Sequence, residues 1–384
     1  MARTYKIQVL PGDGIGVETV KEAVKVLSVT EEVTRGLNLS FHEFPCGGKH
    51  YLETGKEWTE EAKRFSQEEA DAILFGAVGW EKSPGEPVRR EDGSMAGADV
   101  VLGTRMRLDL YANVRPVKLY EGVPSPLATR QPSDIDFVII RENTEGLYAP
   151  IRGTLQRGET AESAVDVRVI TRRGAERVSR FAFNLARQRR HGAPADGQQR
   201  VTCVDKSNVL DGCRLFRRVF EEVAQKFPKV MPDFAYVDAW AMWCLRRPSY
   251  YDVVVAPNMF GDIISDLGAA IQGGMGVAAG GNIGERHAMF EPIHGSAPRH
   301  AGKQKANPIA AILAGKMLLE WLGDKYKDRH CHRAAEKIGF AVAAVLSAGR
   351  TRTYDLCIGS YADVEPSTTG QVGSAVAEAV RPQS

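Results

Sequence analysis

Asp262 and Asp266 stand four residues apart in NMFGDIISD, residues 258–266. On a helix that spacing puts both carboxylates on one face. Like charges there repel unless a cation or an arginine joins them. The strand-like DVVV precedes the segment, and α/β sheets bind ligands where a strand gives way to a helix. Oxygen-only ligands suit a hard ion such as Mg²⁺ or Mn²⁺. A second explanation stands level with it: an acid near a helix N-terminus is favoured by the helix dipole. Asp238, in YVDAW between strand-like residues and an apolar helix, reads alone as an N-cap. With the other two it completes a carboxylate cluster.

Three arginines suit an anion. Arg105 lies in VLGTRMRLDL, Arg115 in YANVRPVK, and Arg141 follows the apolar run DFVII. An arginine at the end of a buried strand is unfavourable unless paired, and a guanidinium fork matches a carboxylate at two points. Two or three such forks fit a dicarboxylic acid. Internal pairing with Glu142, Glu145 or Asp109 also accounts for them, as does a solvated helix face for Arg105. Lys206, after the strand VTCVD, and Tyr148, closing RENTEGLY, are of the types that move protons. Alone, each reads equally well as a surface or core residue.

The glycine segments are ambiguous. GDGIG, with Gly12, Gly14 and Gly16, is not the GxGxxG fingerprint, although it sits at a strand-to-helix turn. It cradles a phosphate or is a plain tight turn. GSAPRHAG, residues 295–302, follows Glu291 and His294; its small residues, free amides and Arg299 suit a nucleotide's phosphates, and a surface loop reads the same way. The triplet His330–Cys331–His332 has no CxxC beside it, and adjacent helix residues diverge, so zinc is the weaker reading.

The elements that must position these residues alternate. Tyr5–Leu10, Asp71–Phe75, Phe137–Ile140, Val201–Val204 and Val253–Val255 read as strands. Helical patterns run through VETVKEAVKVL, Gly174–Arg187 and Gly212–Lys226, and a short one (VGSAVAEAV) closes the tail. That order predicts an α/β sheet covered on both faces. Residues 188–200 and 82–97 are polar or irregular and read as loops. The 384 residues suit two lobes. The composition, 43% hydrophobic and 26% charged, is that of a globular protein. A formal charge of +2 gives no field for nucleic acid or membrane. Six scattered cysteines read as reduced thiols. No secretory pattern opens the chain and no 18-residue apolar run occurs, so a cytoplasmic protein is expected.

In order along nearly the whole chain, LPGDGIG, LDLYANVRPVK, RENTEGLY, VDKSNVL, YVDAWAM, NMFGDIISDL, GNIG, EPIHGSAP and ANPIAAI resemble the isocitrate/isopropylmalate dehydrogenase family of β-decarboxylating dehydrogenases. The resemblance implies a role for each residue. Arg105, Arg115 and Arg141 match the arginines that clamp the malate carboxylates. Asp238, Asp262 and Asp266 match the metal carboxylates. Tyr148 and Lys206 match the acid/base pair, with Asn208 beside them near the nicotinamide. Ile15, Glu291, His294, Gly295, Ser296, Ala297, Arg299, His300, Ala306 and Asn307 match the cofactor site. Lys206 and Asp238 would come from the neighbouring subunit of a homodimer with shared sites. The implied fold is two α/β domains sharing a central sheet and a cleft, not a GxGxxG Rossmann domain. The nucleotide domain spans 1–109 with 273–384, and the second domain, with the substrate and metal residues and the dimer interface, spans 110–272.

The implied reaction is NAD(P)- and Mg²⁺/Mn²⁺-dependent oxidative decarboxylation of a 3-substituted (R)-malate. In this family the helix before Arg105 reads the 3-substituent, and here it carries Val101 and Leu102. An apolar substituent gains roughly 0.8 kcal/mol per buried CH₂ there, while an unpaired carboxylate loses several. This favours a 3-isopropylmalate-like substrate. Arg89, Arg90 and Arg107 are nearby cations that would favour isocitrate or homoisocitrate instead, and PVKLYEGVPSPL resembles the D-malate/tartrate branch. Arg299 stands where NAD enzymes of the family carry Asp. With His300 and Tyr354 it points to NADP or dual use. Two further classes are an inactive regulatory paralogue and a metal-dependent lyase; the intact acid/base, arginine and carboxylate sets argue against lost catalysis.

Overall fold

The computed structural model describes residues 3–127 and 131–382. They form two compact units. One comprises 3–110, 119–127 and 269–382, and the other 111–118 and 131–268. The segment 119–127 belongs with the first unit, although it lies between two stretches of the second. Its contacts explain why. Val123 is buried, Ser125 Oγ donates to the Ile271 carbonyl at 2.7 Å, and the Gly122 carbonyl accepts from Arg352 at 3.2 Å.

In the first unit the strands run in the order Asn38–Glu43, Thr4–Gly12, Ala72–Ala77, Ala288–Pro292, Ala279–Ile283. The first three neighbouring pairs are parallel and the last is antiparallel. Ile7, Val9, Leu10, Leu74 and Phe290 are fully buried, as expected where helices cover a parallel sheet. The covering helices include Ile15–Glu32, Ile309–Tyr326, Arg329–Ala348 and Thr369–Val380. The last is started by a capping box between Thr368 and Gln371.

In the second unit the order is Met231–Tyr236, Arg200–Asp205, Val253–Ala256, Asp136–Glu142, Ala112–Lys118. Its first three pairs are parallel and its last antiparallel. Arg172–Gln188 and Asp211–Ala224 are amphipathic helices whose apolar stripes, including Val178, Phe183, Phe216 and Phe220, are buried. Val237–Arg246 and Asn258–Ile271 carry the acids. A hairpin, Arg152–Arg157 with Thr160–Asp166, is exposed at every residue.

The five strands expected from sequence are present, most of them longer at an end. Nine further strands occur among the described residues, among them Ala112–Lys118, which carries Arg115 and was not anticipated, and Met231–Tyr236, which ends the strand-like stretch before Asp238. None of the described helices is long and apolar enough to cross a membrane. Five cysteines are buried and all six are free. Burial pushes the Cys331 thiol up to about 12, and no three His, Cys, Asp or Glu side chains among the described residues cluster as metal ligands. In the helix Arg329–Ala348, Cys331 is buried and His330 and His332 are half-buried.

Candidate active site

In the second unit the arginine-bearing strands end against the helix Asn258–Ile271. Gly261 permits the approach: a Cβ there would lie 2.7 Å from the Arg141 Cβ and 2.9 Å from its Cα. Any larger residue would push the helix off the strand. Arg141 and Arg115 are 3% and 7% exposed. An Asp262 oxygen takes both arginines, Arg115 at 3.3 Å and Arg141 in a closer contact. Its other oxygen accepts from the Tyr148 hydroxyl at 2.9 Å. Asp266 meets Arg115 at 3.4 Å. The two acids are thus joined by guanidinium, as like charges on one face require.

Neither acid lies in the first helical turn, so the helix-dipole explanation does not hold. Burial, with the repulsion of Asp262, pushes the Asp266 carboxyl up against the pull of Arg115 and Arg141. A carboxylate held short of full compensation has room for a further cation. Two residues that sequence reasoning missed complete the network. Asn258 accepts from Arg141 Nε at 2.9 Å and donates to the Glu145 carbonyl at 2.8 Å. Ser265 accepts from Arg115 at 2.6 Å and donates to the Asp262 carbonyl at 2.8 Å. Asn258 is four residues before Asp262, so the same spacing that flagged the acids would have found it. The Arg141 guanidinium also lies 5.1 Å from the centre of the Tyr148 ring.

Lys206 and Asp238 do not join this cluster. They pair with each other at 2.8 Å, and Asp238 is held below the usual carboxylate range, first by that hydrogen bond. Asp238 is the second residue of its helix, and Tyr236 holds the N-cap position; the N-cap reading is corrected. Asn208, two residues after Lys206, is exposed in a turn.

In the first unit Arg105 meets Glu291 at 2.8 Å, and the same Glu291 oxygen accepts from Asn282 at 2.7 Å. All three side chains are buried. Asn282, in the GNIG motif, was not singled out from the sequence; it lies in the strand Ala279–Ile283. Val101 packs against the core around Trp58 and Phe75. Leu102 is 45% exposed and sits three residues before Arg105, on the neighbouring part of the helix.

The GDGIG turn proves to be a docking turn. Gly14 has φ +60°, and a Cβ there would lie 1.9 Å from the Ser296 carbonyl. Ile15 N–H donates to that carbonyl at 2.8 Å, and Asp13 N–H to the Ala77 carbonyl at 2.6 Å. These amides are therefore spent inside the protein, against the phosphate-cradle reading. Asp13, unremarked in the sequence, is buried and accepts from the amides of Gly48, Lys49 and Gly79 at 2.6–2.9 Å.

The turn thereby fixes the loop after Glu291. Ser296 Oγ donates to the Gly79 carbonyl at 2.6 Å, and Ala297 is left-handed at φ 39°. His294 keeps Nδ1 beside the Gly295 carbonyl, while its Nε2 is buried without a partner; burial lowers its pKa and keeps it neutral. A buried orphan nitrogen beside a glycine with open space around it fits an adenine-sized group with its own donors and acceptors. Further along, Arg299 has a 69% exposed side chain 3.8 Å from Glu81. His300 stacks on the Tyr354 ring, centroids 6.2 Å apart. Ala306 is buried and its carbonyl accepts from Thr369; Asn307 bonds Asp355 at 3.1 Å and caps Ile309.

Residues 6–376 match the family model described as isocitrate/isopropylmalate dehydrogenase. The 3-isopropylmalate dehydrogenase of Clavibacter michiganensis subsp. michiganensis is 42% identical over 388 residues, covering 99% of each chain. The 3-isopropylmalate/3-methylmalate dehydrogenase of Methanocaldococcus jannaschii is 41% identical over 350 residues, 90% of this chain and 92% of that one. Among solved structures, isocitrate dehydrogenase from Methylococcus capsulatus superposes with a TM-score of 0.83 at 35% identity, covering 98% of this chain and 100% of the other.

Proposed function

Because the chain belongs to the isocitrate/isopropylmalate dehydrogenase family and is a dehydrogenase of that family, we propose that it oxidises and decarboxylates a 3-substituted (R)-malate, best fitted to 3-isopropylmalate. One observation carries the choice of substituent. Leu102 is exposed beside Arg105, while each nearby cation is engaged elsewhere. Arg107 is held by Asp99 at 2.7 Å, Arg90 bonds Ser94 and meets Glu57 and Asp92, and Arg89 donates to the Gly93 carbonyl. A third carboxylate would find no partner there, and leaving one unpaired costs several kcal/mol.

Asp262 and Asp266, with Asp238 of a second copy, would hold Mg²⁺ or Mn²⁺, which when bound supplies an electrophile for the substrate's hydroxyl and carbonyl oxygens. Arg105, Arg115 and Arg141 bind the substrate carboxylates in two-point geometry. Lys206 would take the substrate's hydroxyl proton; a bound nicotinamide would supply the acceptor for the hydride of carbon 2. Carbon dioxide then departs from carbon 3, and the Tyr148 hydroxyl returns a proton to that carbon. Tyr148 is 46% exposed and its hydroxyl already points at Asp262, which suits that role.

The homodimer belongs to the same proposal. Lys206 and Asp238 are away from Asp262 and Asp266 in their own chain. The helices bearing these acids expose Met242, Leu245 and Ile263 at 45%, 40% and 60%, an apolar face that a second copy would cover.

NADP, or both nucleotides, is the proposed oxidant, because Arg299 is a loosely held cation beside the His300–Tyr354 stack. Arg299→Asp is expected to lower kcat/KM for NADP relative to NAD roughly tenfold or more; an unchanged ratio removes Arg299 as the reader. The substrate is tested with 3-isopropylmalate, homoisocitrate, isocitrate, D-malate and tartrate, Mn²⁺ and each nucleotide, followed at the reduced-nicotinamide absorbance. The reading fails if isocitrate or D-malate has the higher kcat/KM.

A further inference from the structure

The turn that presents Leu102 is held by contacts that the proposed reaction does not use. Asp99–Gly103 is wound as a π-turn and runs directly into the α-helical turn Thr104–Arg107. π-turns are rare, and the extra residue rotates each later side chain by about 100° relative to an unbroken α-helix. Leu102 and Arg105 therefore face where they do only while the turn keeps this form. The better-bonded α form competes with it, so something local must hold it.

Arg107 closes back over the turn. Its Nη1 donates to Asp99 Oδ1 at 2.7 Å and its Nη2 to the Asp99 carbonyl at 3.1 Å. Asp99 is pinned from the other side: Oδ2 accepts from the Trp58 indole at 2.9 Å, and its own N–H donates to Glu57 at 2.7 Å. Trp58 is buried, and the Arg107 guanidinium sits 5.2 Å from its ring centre. Gly103 leaves the space the ion pair fills. A Cβ there would lie 2.2 Å from Asp99 Oδ1 and 2.7 Å from Arg107 Nη1. At the far end, Arg105 is fixed by Glu291.

We propose that Asp99, Gly103 and Arg107 are positioning residues: they form a clasp that keeps this turn in its π form and so determines selectivity for the group on the substrate's third carbon. The selectivity part rests on the reading of the substrate given above. None of the three is among the residues proposed above to bind substrate or nucleotide.

Four variants test it in the full chain: Asp99→Asn, Arg107→Ala, Arg107→Lys and Gly103→Ala. The last keeps both charges and only fills their space. KM and kcat are measured separately for 3-isopropylmalate and for D-malate, which has no 3-substituent. Hydrogen exchange across residues 98–108 is followed without substrate. Asp99→Asn, Arg107→Ala and Gly103→Ala are expected to raise KM for 3-isopropylmalate roughly tenfold while KM for D-malate stays within about twofold. Arg107→Lys recovers part of the loss, and exchange quickens in the three disrupting variants. The proposal is overturned if melting temperature falls with the ratio of the two KM values unchanged, or if exchange does not change. Should the wild type oxidise no 3-substituted malate, the substrate reading falls alone, and the exchange comparison still decides whether the clasp holds the turn.

Discussion

Asp262 and Asp238 are acids of the same unit, each bonded to a cation, in opposite surroundings. Asp262 sits against two arginines that are 3% and 7% exposed, with Tyr148 on its free oxygen. Asp238 meets one lysine, and its side chain is 67% exposed. A pair in water is screened and gives up side-chain freedom, so it contributes little. A carboxylate between buried arginines compensates charges that could not stay buried alone. The first arrangement is complete within one chain. The second is an ion pair at a surface, the arrangement that the proposed sharing of a site between two copies requires.

The largest effect that would break this comparison comes from mixing. Lys206→Ala and Asp262→Ala should each lower kcat at least about 10³-fold, in line with loss of a proton acceptor or of metal binding. If Lys206 serves the neighbouring copy, co-refolding equal amounts of the two dead proteins restores about a quarter of the wild-type rate. Half the dimers are then mixed, and each mixed dimer has one intact site. No recovery, with mixed dimers demonstrated, would place Lys206 and Asp262 in one chain's site.

A smaller effect separates the two acids in stability. Asp262→Ala leaves Arg115 and Arg141 buried with much of their charge uncompensated. A loss of about 2 kcal/mol in urea unfolding is expected, below the full penalty for breaking a buried pair because the Asp262 side chain is itself 32% exposed. Asp238→Ala should leave the unfolding midpoint where it is, since only a solvated pair is lost. Equal destabilisation by both would mean that the Asp238 pair is structural.

Much of this site was legible because it is written in short-range spacing. Asp262 and Asp266 share a helical face at any distance from the rest of the fold, and Arg141 at the end of an apolar run had to find a partner. What could not be read depended on contacts far along the chain. Asn282 lies within a strand, opposite Met289, and matters only because it reaches diagonally to Glu291, two residues along the antiparallel partner. The π-turn at Asp99–Gly103 is held by Trp58 and Glu57, some forty residues earlier, and nothing in ADVVLG distinguishes it from an ordinary helix. The hairpin Arg152–Asp166 is exposed on both faces, so it lacks the alternation by which a strand is recognised. Between Val101 and Leu102 the sequence offered no choice; packing against Trp58 and Phe75 takes Val101 into the core.

The smallest effect is one of pH, and it distinguishes Asp266 from Asp238. Burial, assisted by Asp262, raises its carboxyl pKa in the folded chain. A raised acid binds its proton more tightly folded than unfolded, so folding stability falls as pH climbs from the ordinary carboxylate range through the raised value. Asp238, lowered by Lys206, has the opposite sign: its contribution is present above the ordinary value and fades as pH drops. Asp266→Asn should therefore gain on wild type as pH rises through that window, without added metal. A divalent cation needs the ionised form, so the melting-temperature rise given by Mn²⁺ should shrink in wild type as pH is lowered through the same window. It should be small at every pH in Asp266→Asn. A wild-type minus variant stability difference that is flat with pH would show that Asp266 has no raised pKa, and the room for a cation beside Asp262 would have to be sought in another residue.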